Sequence, residues 1–90
     1  MVTVQQGMVE FRFFRPQARQ VYLVGDFNRW RVDLLPMVRA EDGYWRATLL
    51  LPPGAHKFRY WADGHWYVDY AAFGVEPGPF GWDSVISVAG

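Results

Sequence analysis

Trp30 stands between Arg29 and Arg31, directly after Gly25-Asp26-Phe27-Asn28. An indole between two guanidinium groups is an unusual core residue, because its neighbours favour water. The ring either folds back onto the core or lies open as a flat aromatic platform. Trp66 poses the same choice. It follows Asp63-Gly64-His65, so it either pins a hairpin as the cross-strand partner of Trp61 or Tyr60 or offers a second flat ring. Arg59 carries five fixed donors and a permanent charge, which suits forked contacts to paired oxygens. Its plainer role is to pair with a neighbouring carboxylate.

Other chemistries find little support. A glycosidase needs two facing acids. Of the candidates Asp26, Asp63, Asp69 and Asp83, the first three sit in or beside turns, where aspartate bonds its own backbone. No catalytic residue is therefore expected. His56 and His65 are the only histidines, with no Cys or Glu at ligand spacing, so no metal site is expected. There is no serine nucleophile motif and no glycine-rich phosphate loop.

The elements that position these residues must come from a single small domain. The chain has 90 residues and no cysteine, so it folds by packing alone. Hydrophobic residues make up 51% of it. Five Trp, seven Phe and five Tyr are more rings than so small a core encloses, so some belong on the surface, where aromatic patches mark binding sites. The formal net charge is zero and the basic residues are scattered, which argues against a nucleic-acid partner. No stretch is long and apolar enough to span a membrane, and no signal peptide is evident. No membrane partner is expected, and the expected location is cytoplasmic.

Residues 1–7 are polar and are expected to form a flexible end, leaving 8–90 as the domain. Residues 8–14 alternate as a strand, with Val9, Phe11 and Phe13 on one side. Residues 20–25 form the next strand, ending where Gly25-Asp26 breaks the pattern and Asn28 caps or turns the loop. Residues 34–38 hold Pro36 and make a short edge piece at best. Residues 44–51 place Trp45, Ala47, Leu49 and Leu51 on a core face. Residues 55–62 place Phe58, Tyr60 and Ala62 on one side and Lys57, Arg59 and Trp61 on the other, where Trp61 is either a rim contact or, the favoured choice, packs under the second layer. Asp63-Gly64 is a two-residue hairpin signal. Residues 70–83 read as irregular, and 84–88 as the closing strand. This pattern predicts an all-β, immunoglobulin-like β-sandwich of about seven short antiparallel strands.

The stretch Val21-Tyr-Leu-Val-Gly-Asp-Phe-Asn-Arg-Trp30 is similar to the signature of family 48 carbohydrate-binding modules. These include the glycogen-binding domain of AMP-activated protein kinase β-subunits and the N-terminal domains of branching and isoamylase-type debranching enzymes. The likeness continues through Leu51-Pro-Pro-Gly-Ala-His-Lys-Phe-Arg-Tyr-Trp-Ala-Asp-Gly-His-Trp66, resumes at Asp69 and closes with Ser84-Val-Ile-Ser-Val88. The resemblance implies non-catalytic, cofactor-free binding of α-1,4-glucans such as glycogen, starch and maltooligosaccharides. It implies that Trp30 and Trp66 stack on glucose rings. Arg59 falls where kinase-type domains have a lysine on sugar hydroxyls, and Asp83 where they have an asparagine. The loop ahead of Asp83 departs from the kinase type, so Phe80 or Trp82 is expected to replace its leucine contact. Asp69 precedes Tyr70, where the family usually has proline. A different reading is a protein-interaction module that packs on a glucan-active enzyme or kinase.

The sugar chemistry agrees with the implied role. A glucose ring has polar edges and an apolar face of C–H groups, which a flat indole covers while leaving the hydroxyls free. Covering about 60–80 Å² gives roughly 1.5–2 kcal/mol per indole before ordering costs. Two such rings with a few hydroxyl contacts correspond to a Kd of order 10 µM to 1 mM.

Overall fold

The computed structural model describes residues 2–69, 74–78 and 81–89. Nine strands among them form two antiparallel sheets. In the first sheet the order is β1 (Val2–Gln5), β2 (Met8–Phe14), β5 (Tyr44–Leu50), β4 (Val38–Arg39). In the second it is β3 (Val21–Gly25), β6 (Gly54–Ala62), β9 (Gly81–Val88), β8 (Val75–Gly78), with β7 (His65–Tyr67) also on β6. The all-β sandwich read from the sequence is the observed architecture.

The two-residue alternation that defines a strand also builds the core. Val9 and Phe11 from β2 and Trp45 from β5 face Val21, Leu23, Phe58, Tyr60, Ala62, Ile86 and Val88 from the second sheet, and all are buried. Each large side chain enclosed contributes roughly 1.5–3 kcal/mol of transfer free energy. Phe11 meets Phe58 edge-on with ring centroids 5.0 Å apart, and Phe13 stacks on Tyr60 at 4.4 Å. Trp45 is in the core as expected, its Nε1–H donating to the Arg15 carbonyl at 2.8 Å. Burial, the Asp69 charge and a 2.8 Å hydrogen bond to Asp69 Oδ2 raise the Tyr60 hydroxyl pKa above its ordinary value.

Two expectations are corrected, and the short edge piece at residues 34–38 is present with an added role. Residues 2–5, assigned to a flexible end, pair with β2 as β1, with Val2 and Val4 packed against the core. The stretch read as irregular contains β8 and the first residues of β9. Its Pro77 lies on an edge strand, where a missing N–H is tolerated. Residues 34–38 serve both sheets. The Leu35 carbonyl accepts from Leu23 N–H at 2.9 Å and Met37 N–H donates to the Val21 carbonyl at 2.8 Å, before Val38 joins the edge of β5.

The hairpin at Asp63-Gly64 forms with both residues at positive φ (48° and 84°), as a tight primed turn requires. The Asp63 carboxylate does not cap its own turn. It accepts the backbone N–H groups of Arg19 and Gln20 at 3.0–3.1 Å, and these bonds hold its pKa below the usual value. Asp26 likewise accepts the distant Lys57 N–H at 3.1 Å. Asp26, Asp63 and Asp69 thus each hold a different part of the scaffold together.

Candidate functional site

β6 is the strand on which the site is built. β3 pairs along one side of it through residues 58–62. On the other side β9 pairs with residues 54–58, and β7 takes over at residues 60–62. Arg59 sits at this handover. Phe58 and Tyr60 point into the core, so Arg59 points to the outer face. Asp83 from β9 and Trp66 from β7 flank it there. The register pairs Trp66 with Trp61, which puts both indoles on that same face.

Trp30 reaches this face through a tightly bonded loop. Asn28 is buried, its Oδ1 accepting the Gly25 N–H at 3.0 Å and its Nδ2 donating to the Leu23 carbonyl at 3.2 Å. Trp30 N–H then donates to the Gly25 carbonyl at 2.9 Å. Arg29 and Trp30 are both left-handed, with φ of 60° and 59°. Such angles cost roughly 1–2 kcal/mol per non-glycine residue. The loop keeps them because Asn28 satisfies backbone groups at the end of β3. Gly25 is required by close approach, since a Cβ there would lie 2.6 Å from the Lys57 carbonyl.

These elements bring four of the expected residues together. The Arg59 guanidinium carbon lies 5.8 Å from the Trp30 ring centroid and 5.6 Å from that of Trp66, within cation–π reach of both. Its Nε–H donates to Asp83 Oδ1 at 2.6 Å. The two indoles are open to solvent, with exposures of 37% and 42%, whereas Arg59 is 9% and Asp83 2% exposed. The surface is thus a shallow platform of two rings with a guanidinium set in its floor and a buried carboxylate beside that guanidinium. Lys57 and Glu76, an ion pair at 3.5 Å, continue the same face.

Asp83 and Trp82 lie in different surroundings from the two open rings. Asp83, which the resemblance places as a polar contact to the sugar, is buried and accepts the Arg59 Nε–H from the neighbouring strand. Gly78 makes room for it, because a Cβ at residue 78 would collide with the Asp83 carboxylate. Trp82 is 56% exposed in the β8–β9 hairpin but pairs with Pro77, while Asp83 pairs with Glu76. Strand alternation turns Trp82 to the opposite side from Asp83. Among the described residues no ring or cation contact joins it to the platform. Phe80 lies outside the described residues.

Trp61 lies on the Arg59 face as the alternation predicts, and it packs edge-on against Trp66 with centroids 4.6 Å apart. Both readings of Trp66 therefore hold at once, as a hairpin pin and as an open ring. Asn28 and Gly78 are the supporting residues whose full part the sequence did not disclose. The chain order Gly25…Asn28 hinted at the first, and nothing local marks the second.

Comparison with known proteins points the same way. The profile of the family described as the glycogen recognition site of AMP-activated protein kinase matches residues 8–73. The chain is 38% identical over 80 residues to the 1,4-alpha-glucan branching enzyme of Lactobacillus acidophilus, covering 83% of this chain and 12% of that enzyme. It is 39% identical over 51 residues to the 5'-AMP-activated protein kinase subunit beta-1 of Rattus norvegicus, covering 57% of this chain and 18% of that subunit. The chain therefore spans less than a fifth of the length of either relative. With well over half of its residues matched by one profile, the chain belongs to the family of glycogen-recognition, carbohydrate-binding modules.

Proposed function

We propose that this chain is a non-catalytic module that lays an α-1,4-glucan across Trp30 and Trp66. The observation that carries this reading is the Arg59 guanidinium between the two indoles, fixed by Asp83 at 2.6 Å. Each ring covers the C–H face of one glucose. The terminal nitrogens of Arg59 donate to hydroxyls between them, while Nε stays committed to Asp83. Because the rings and the guanidinium are set in place before binding, little ordering entropy opposes it.

Intrinsic tryptophan fluorescence tests this reading. Maltoheptaose and β-cyclodextrin should give a saturable change, with a Kd of order 10 µM to 1 mM, and cellohexaose should give none. No change with the α-glucans up to millimolar concentration overturns it.

A second reading rests on the first sheet. Its outer face leaves Met8, Phe14, Val38 and Leu50 exposed, which suits packing on another domain. The matched relatives are larger proteins, so a catalytic domain or kinase partner fits that face. The two roles use opposite faces of the sandwich and are compatible.

A further inference from the structure

A second concave site lies on the other side of β7 from the platform. Trp66 pairs with Trp61 on the outer face, so His65 and Tyr67, its neighbours along the strand, turn the other way. There the loop of residues 15–20 and the β6–β7 hairpin enclose a cleft of about 310 Å³. Ala18 and Ala62, both buried, line it together with the exposed or half-buried Arg15, Gln17, Asp63, His65 and Tyr67.

The walls are fixed. Arg15 Nη2–H donates to the Tyr67 hydroxyl at 2.6 Å, and the guanidinium lies 4.5 Å from the Tyr67 ring centroid. Asp63 holds the opposing loop through the Arg19 and Gln20 amides at 3.0–3.1 Å. A cation and an anion therefore line one small volume. A purely anionic ligand meets repulsion from Asp63, and a purely cationic one from Arg15. A neutral pair of hydroxyls meets neither, since a hydroxyl both accepts from Arg15 and donates to Asp63. The two alanine methyls suit a C–H face above them. The volume is at the small end of the range for ligand sites, which fits one sugar ring and not a chain.

We propose that this cleft is a second subsite that holds a single neutral hexose unit between Arg15 and Asp63. Occupancy here does not depend on Trp30 or Trp66, so the cleft stands or falls separately from the platform.

The test is a ¹H–¹⁵N NMR titration of the whole chain with glucose and with maltose. The amides of Arg19, Gln20, Asp63 and His65 report the cleft, and the indole N–H groups of Trp30 and Trp66 report the platform. The cleft amides should shift and saturate with a Kd of order 10 mM. The shifts should persist in Trp30→Ala and weaken about tenfold in Arg15→Ala, with Arg15→Lys between, since lysine keeps the charge but loses the fork. Cleft shifts that fail to saturate, or that disappear in Trp30→Ala, overturn the subsite. Saturation by inorganic phosphate but not by glucose overturns the neutral-hexose assignment. If a variant's spectrum shows loss of folding, Gln17→Ala, on an exposed loop residue, replaces it and should also weaken the hexose shifts.

Discussion

Asp83→Ala separates support from contact in the platform. The Arg59 and Asp83 side chains are 11% and 3% exposed and meet at 2.6 Å. Removing one partner of a fully buried pair costs about 3–5 kcal/mol, because a charge is left without compensation. Arg59 keeps two indole faces, each worth roughly 0.5–1 kcal/mol, so the expected loss is about 2–3 kcal/mol. For a domain of this size that corresponds to a Tm about 10–20 °C lower. Arg59→Ala should cost more, about 3–5 kcal/mol, since it strands a carboxylate that is 2% exposed. In the double variant neither charge remains, so the two losses should overlap by about 2 kcal/mol. Urea unfolding of the four proteins measures this overlap, and maltoheptaose titration of each measures binding. Asp83→Ala should weaken binding about tenfold although its carboxylate is buried beside Arg59, because Arg59 is then free to move. Asp83→Asn, which keeps an acceptor for Nε–H, should recover most of that loss. Additive losses within about 0.5 kcal/mol would refute the buried pair. Unchanged binding in a folded Asp83→Ala would refute its positioning role.

Three further outcomes follow from the same geometry. Trp30→Ala should lose about 1.5–2 kcal/mol of glucan binding, roughly 10–30-fold, with a small change in Tm because the ring is open to solvent; Trp66→Ala should add about 0.5–1.5 kcal/mol of instability from the lost Trp61 contact. Asn28→Ala leaves the Gly25 N–H and Leu23 carbonyl without their side-chain partner. It should destabilise the domain by about 2–3 kcal/mol and weaken glucan binding by releasing Trp30, as read by urea unfolding and fluorescence titration. The Asp63 carboxyl has a folded pKa below its unfolded value of 3.8. Its stabilisation is therefore present above that value and is lost as pH falls through the folded pKa. Asp63→Asn should flatten the fall of Tm below about pH 4, and an unchanged acid limb would count against the Arg19 and Gln20 bonds.

The sequence by itself determined most of the strands and singled out Trp30 and Trp66. Two-residue alternation at Val9-Glu10-Phe11 and Phe58-Arg59-Tyr60 separates core from surface without reference to any partner strand. Asp63-Gly64 specifies its turn locally, because positive φ at both residues suits that pair. The motif ending at Trp30 and the ring after the hairpin marked both of the indoles that lie open beside Arg59.

What the sequence could not settle depended on pairing across long separations. Val2–Gln5 form a strand only because β2 presents an edge to them. Residues 75–78 look irregular until β9 supplies a partner for their backbone. The Arg59–Asp83 pair spans 24 residues and exists because β9 hands over to β7 beside Arg59. That register places Asp83 beside Arg59, buried, and turns Trp82 to the other side of β9. Side-chain type states what a residue can do; only the register of distant strands decides which residues meet, which are covered and which face solvent.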